Sequence, residues 1–295
     1  MTKPAILSPV AAVVIALVAY LLFTIGDASA KWLLDTYSEA QIIFTVNAVG
    51  ATIMGTMAVW MRGLKHAFAT EKPKLHVLRA AIMVVNTLIV LYVLKHLPLA
   101  DFYGIVFQNP IWVAILSVLI FKEKIPGKEW GAIILGFIGV LIIVGPAFAN
   151  LNFAYLIAML IPFFGASGAL IARQIGKDEP VTNFALWFHT AITVVTAFML
   201  PGKFIVPTLP DFALMVMYGI VTSIATMCIS LVFARSHAVS QVAPLQYTQM
   251  LWGVLIGLIV FHHEPDLNTL IGGAIVIASG IYVLHSLRRG RLMNR

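Results

Sequence analysis

Basic residues are segregated along this chain, and the segregation dictates how it can fold. Ten apolar stretches of roughly membrane-spanning length divide its 295 residues. Threaded alternately through a bilayer with Met1 inside, the inner connections collect sixteen of the nineteen Lys and Arg, from Lys3 and Arg62 through Lys122, Arg173 and Arg235 to Arg295. The outer connections hold Lys31, Lys95 and Lys203. Basic side chains resist translocation, so loops rich in them stay in the cytoplasm. The pattern predicts a multi-pass protein of a bacterial-type inner (plasma) membrane with both termini cytoplasmic.

Composition narrows the class to all-α. Hydrophobic residues make up 61% of the chain and charged residues 11%, against about 45–50% and about 25% in soluble domains. Apolar runs of about 20 residues match a hydrocarbon core about 30 Å thick, whereas a barrel shows alternating segments of about ten. The net charge of +7 lies in short cytoplasmic loops. It is therefore read as topology, and no nucleic-acid partner is expected. The single cysteine, Cys228, allows no intramolecular disulfide. Lys3 and Ala28-Ser29-Ala30 also fit a cleaved leader. Cleavage would leave nine spans and destroy the symmetry described next.

The expected spans are 9–30, 40–61, 75–96, 99–121, 129–147, 152–173, 183–200, 211–233, 239–261 and 267–287. Aligning Glu123 with Glu264 gives an offset of 264 − 123 = 141 residues. At that offset Gln108 meets Gln249, Gly131 meets Gly272 and Gly139 meets Gly280. Each half, 9–147 and 152–287, then holds five helices. Five is odd, so the second half enters the membrane inverted. Inverted repeats are a common transporter architecture, with the solute site near the midplane between the halves. The glycines of the fifth and tenth spans are expected to serve close helix packing, away from the solute path.

The stretch from Leu78 to Gly145 carries Arg79 opening the third span, Tyr92 near its end, a Leu-Pro-Leu-Ala corner at Leu97 to Ala100, Pro110, Glu123 and a Gly-rich fifth span. Ala243, Pro244, Glu264, Gly272 and Gly280 answer it in the second half. In these motifs the chain resembles the EamA family of the drug/metabolite transporter superfamily. The resemblance implies a ten-helix carrier, no cofactor and a small-molecule solute. Phe23, Asp27, Lys31 and Glu39-Ala40-Gln41 are similar to a bacterial subgroup that includes S-adenosylmethionine and riboflavin carriers. That subgroup has an Arg near the middle of its second helix, where this chain has Asn47.

Polar groups inside the spans are the candidate site. A charge at midplane costs roughly 2.5–3.5 kcal/mol on insertion scales, so it faces protein or water. Asp27 is the deepest acid, and Lys31 follows at i+4. The two read either as a gate or substrate-headgroup site, or as a local ion pair. Gln108 and Trp112 share a face of the fourth span, and Gln246 and Gln249 share one in the ninth. The amides read as cavity groups or as interhelical hydrogen bonds. Asn47 and Asn86 are single deep amides, and Tyr103, Tyr247 and Trp112 could stack on a flat solute. Pro110, Pro162 and Pro244 are expected to kink their spans. His189 is read as a packing residue, and His262-His263-Glu264 as a poor metal triplet because adjacent side chains on a helix diverge.

The expected function is secondary transport of a small polar or amphipathic metabolite by alternating access. The alternative is uptake of a nucleoside- or flavin-like compound. A membrane enzyme would need paired acids, a metal cluster or a nucleophile with its base, and a pore would need rings of like residues. The sequence offers neither. Partners are the bilayer and the solute, with monomer and homodimer both open.

Overall fold

The computed structural model describes residues 7–96, 105–144, 153–202, 204–236, 242–261, 267–268, 270–275, 278–279 and 282. The described residues are helical, with no strand among them. The helices are α1 (Pro9–Leu33), α2 (Glu39–Arg62), α3 (Pro73–His96), α4 (Asn109–Phe121), α5 (Gly127–Val144), α6 (Phe153–Ala158), α7 (Leu160–Ile175), α8 (Val181–Ala197), α9 (Leu209–Arg235) and α10 (Thr248–Phe261). Among the described residues, five stretches are long and apolar enough to cross a membrane: Pro9–Ala30, Glu39–Arg62, Pro73–Val90, Phe153–Ile175 and Leu209–Arg235. Asn109–Phe121, Trp130–Gly139 and Val181–Ala197 are shorter apolar helices.

Local chemistry sets the helix ends. Ser8, Ser38 and Thr208 each accept from a backbone N–H three residues on, at Ala11, Gln41 and Asp211. These caps satisfy donors that the first turn leaves open. Gly63 and Gly176, at φ +77° and +93°, end α2 and α7 in backbone that L side chains rarely adopt.

The three prolines mark interruptions of regular α-helix. They stand where helices restart. Phe107 and Gln108 form a turn, and α4 begins at Asn109 with Pro110 in its first turn. The sixth span breaks at Met159 between α6 and α7, just before Pro162. Pro244 lies in a 3-10 segment, Ala243–Tyr247, that leads into α10. Proline lacks the N–H and its ring clashes with the carbonyl one turn earlier, so the helix gives way there.

Packing joins distant elements. α1 lies on α9 and α10, α2 on α8 and α9, α3 on α7 and α8, and α4 on α7. Ala12, Ala16 and Ala19 close one face of α1, while Val10, Val14 and Val18 stand exposed on another. An apolar outer stripe suits a lipid-facing surface. Helices come nearest where side chains vanish. A Cβ on Gly139 would lie 2.9 Å from the Gly272 carbonyl oxygen, and one on Gly219 would lie 2.7 Å from Val49.

Candidate functional site

Two residues singled out separately in the sequence meet in space. Gln249, in the first turn of α10, donates from Nε2 to Asp27 Oδ2 at 3.0 Å. Asp27 is half-buried in the last third of α1. Thr24, one turn earlier, donates to the Tyr20 carbonyl at 2.9 Å and reaches the Gln249 carbonyl at 3.4 Å. Gly26 lets α9 approach, since a Cβ there would lie 2.7 Å from the Tyr218 ring and 2.8 Å from Thr222. Three helices, α1, α9 and α10, therefore converge on one carboxylate.

The other candidates fall in different surroundings. Gln108 is half-buried, with Nε2 3.9 Å from Met159 Sδ. Trp112 packs edge-on against Phe163 at 5.5 Å. Tyr247 is 1% exposed. Its ring lies edge-on to Phe107 at 6.5 Å and fills the space beside Gly136. Gln246 is half-buried beside it. Asn86 keeps a buried Oδ1 with no hydrogen-bond partner among the described residues. Asn47 is buried and bonded twice, through Nδ2 to the Ile43 carbonyl at 2.8 Å and through Oδ1 to His189 Nδ1 at 2.8 Å. Tyr103, the Lys31 side chain and His262-His263-Glu264 lie outside the described residues. No group of His, Cys, Asp and Glu among the described residues could hold a metal ion.

Two polar clasps flank this region, and the sequence reading missed both. Gln41, the third residue of α2, is fully buried. Its amide pairs with the Ile205 backbone, donating to the carbonyl at 2.5 Å and accepting from the N–H at 2.8 Å. Next to it Tyr37 donates to Asp211 at 2.8 Å and accepts from the Thr208 N–H at 3.2 Å.

Asn183, the third residue of α8, is also fully buried. It donates to the Ala69 carbonyl at 2.9 Å and to Glu179 at 2.6 Å, and accepts from Arg62 at 2.7 Å. Glu179 also accepts from Thr70 at 2.8 Å, and His76 Nε2 lies 3.0 Å from it. Burial pushes the Glu179 carboxyl up. Hydrogen bonds from His76, Asn183 and Thr70, with the charge of His76, outweigh that and hold it below its ordinary value.

The same end carries further links. Lys72 donates to the Gln174 and Ile175 carbonyls at 2.8 and 2.7 Å. Arg173 pairs with Glu123 and lies 4.3 Å from the Phe121 ring centroid. Arg79 is buried and donates to the Gly168 and Phe184 carbonyls at 3.2 and 2.8 Å and to Ser230 at 2.7 Å.

Comparison with known proteins agrees with this architecture. Residues 10–145 match the EamA-like transporter family. The chain is 23% identical over 271 residues to the pseudopaline exporter CntI of Pseudomonas aeruginosa, covering 91% of this chain and 94% of that protein. It is 24% identical over 225 residues to the S-adenosylmethionine uptake transporter of Rickettsia bellii, covering 76% and 77%. It is 25% identical over 223 residues to the riboflavin transporter of Vibrio cholerae, covering 75% and 74%. One solved crystal structure superposes with a TM-score of 0.81 at 16% identity, over 96% of this chain and 99% of the other, and so shares its fold.

Proposed function

Residues 10–145 being an EamA-like transporter segment, we propose that the chain is a ten-helix secondary carrier. Two inverted halves, 9–147 and 152–287, move a small polar or amphipathic metabolite by alternating access. The carrier sits in a bacterial-type inner membrane with both termini cytoplasmic.

The observation that carries this reading is the equivalence of Gln41 and Asn183. Each is the third residue of its helix, each is fully buried, and each grips a loop belonging to the other half. Their separation is 183 − 41 = 142, one more than the 141 that relates Glu123 to Glu264. The packing supports the same twofold. α1 lies on α9 as α7 lies on α3, α2 on α9 as α8 on α3, and α4 on α7 as α10 on α1. Inverted threading puts the Gln41 clasp outside and the Asn183 clasp inside. The Asp27–Gln249 contact joins the halves between them. Alternating access then consists of opening one clasp while the other stays shut.

Uptake of a nucleoside- or flavin-like compound is the narrower reading. Relatives named for S-adenosylmethionine and riboflavin uptake favour it. A relative named as an exporter favours the opposite direction. Reconstituted proteoliposomes test transport itself. Saturable flux of riboflavin, S-adenosylmethionine or another small metabolite is expected. Folded protein that passes no member of a broad metabolite panel would contradict the carrier reading. Flux without saturation would indicate a pore.

A further inference from the structure

One hydrogen bond joins two residues that the internal repeat makes equivalent. Asn47 and His189 are 189 − 47 = 142 positions apart, the same spacing that separates Gln41 from Asn183. Each is the ninth residue of its helix, α2 or α8. Both are buried, and His189 Nδ1 lies 2.8 Å from Asn47 Oδ1. Burial follows the same spacing. Shifted by 142, six of the eight buried positions of α2 fall on buried positions of α8.

The midpoint between two residues related by a twofold lies on its axis, so residues touching their own mates lie beside it. The seam there is tight. A Cβ on Gly50 would lie 2.9 Å from the His189 ring and would also meet Ser223 of α9. Glycine thus lets α2 seat against the imidazole. The clasps stand off the axis. Gln41 precedes Asn47 by 47 − 41 = 6 residues, and Asn183 precedes His189 by 189 − 183 = 6. With the halves inverted, those equal steps run toward opposite faces. In such a carrier, the two halves exchange conformations as the inward state becomes the outward one. The exchange carries each clasp onto the other, and it carries the Asn47–His189 bond onto itself.

We propose that the Asn47–His189 contact is the pivot of the transport cycle. α2 and α8 keep this bond in the inward and outward states while the halves rock about it. Asn47 and His189 are then positioning residues, and the pivot rests on the carrier reading.

Distances between paired spin labels test it on the purified full-length protein in a Cys228→Ser background. Thr52→Cys with Val194→Cys spans the seam; both residues are exposed, and they are themselves 194 − 52 = 142 apart. Asp35→Cys with Val206→Cys reports the outer clasp, and Glu71→Cys with Asp178→Cys the inner one, all four at exposed positions. Gln41→Ala should populate the longer outer distance and Asn183→Ala the longer inner one, each by roughly fivefold. The Thr52–Val194 distance should stay the same in both variants. A bond present equally in both states biases neither when it is lost. Asn47→Leu should therefore leave the balance of outer and inner distances within about twofold of the parent's, although it lowers stability. If Asn47→Leu yields no folded protein, the Thr52–Val194 distance in the clasp variants, which keep Asn47, decides alone.

A Thr52–Val194 distance that changes along with either clasp would overturn the pivot. So would an Asn47→Leu balance displaced as far as in a clasp variant. Either result leaves the carrier reading intact. Clasp pairs that stay fixed in both alanine variants would strike the carrier reading, and the pivot with it.

Discussion

His189 Nδ1 lies 2.8 Å from Asn47 Oδ1, tying α8 to α2 inside the protein. Asn47 Nδ2 is already given to the Ile43 carbonyl. The imidazole must therefore donate from Nδ1, which leaves its buried Nε2 as the acceptor of a neutral ring. Replacing Asn47 by Leu strands that donor. The expected loss is about 1–2 kcal/mol of stability, the range for interhelical hydrogen bonds in membranes, measured as a lower midpoint in detergent unfolding. Unchanged stability would show that His189 finds another partner. Asn47 thus joins α2 to α8 through a hydrogen bond inside the protein.

Gly139 and Gly131 should respond oppositely to the same change. A Cβ at Gly139 would sit 2.9 Å from the Gly272 carbonyl oxygen, and backbone cannot step aside as a side chain can. Gly139→Ala should cost about 1–3 kcal/mol through forced separation of the helices. At Gly131 nothing lies within 4 Å of the added atom. Gly131→Ala should be neutral or stabilise by up to about 1 kcal/mol through helix propensity. Equal effects at the two sites would contradict the described packing of α5 against the backbone of Gly272.

Glu179 makes the Asn183 clasp sensitive to acid. Its folded pKa is held below the unfolded value. A carboxyl of that kind contributes stability that is present above the unfolded pKa and is lost as pH falls through the folded one. Acidification below the ordinary carboxylate range should therefore lower the melting temperature. Glu179→Gln should be less stable at neutral pH and should flatten the acid limb. An acid limb of the same depth in that variant would assign the titration to another group.

Arg79 should not tolerate lysine. Three of its nitrogens bind three acceptors on α7, α8 and α9 in different directions. An ammonium on a flexible stem cannot span them. Arg79→Lys keeps the charge yet should lose about 2 kcal/mol or more, since buried acceptors are left unpaired. Stability equal to the parent protein would show that charge, not the fork, is what matters there.

Much of this architecture is readable from the chain. Caps at Ser8, Ser38 and Thr208 put helix starts within a few residues of where hydropathy expects them. Asp27 and Gln249 stand out individually because polar groups in apolar spans are rare. Their contact does not, because 222 positions separate them and only tertiary packing brings α1 to α10. The clasps were hidden for a related reason. Gln41 and Asn183 sit in the first turns of helices, where amides are ordinary, and what they hold is the backbone of distant loops. Sequence patterns carry side-chain periodicity, and they carry no trace of a carbonyl's position. The one available signal was the 142-residue spacing of two amides at the same helical position. The prolines mark sites of interruption correctly, but propensity does not distinguish a kinked helix from a restarted one.

On the proposed carrier reading, the Gln41 and Asn183 clasps close opposite faces of one solute path. A cysteine at Thr24, in a Cys228→Ser background, reports access to the Asp27 site. Its labelling by a membrane-impermeant maleimide is followed from the outside of sealed vesicles of each orientation. Gln41→Ala should raise labelling from the periplasmic face, and Asn183→Ala from the cytoplasmic face, each by roughly fivefold or more for a population shift of about 1 kcal/mol. Both variants raising labelling from the same face, or neither raising it from any face, would contradict the account.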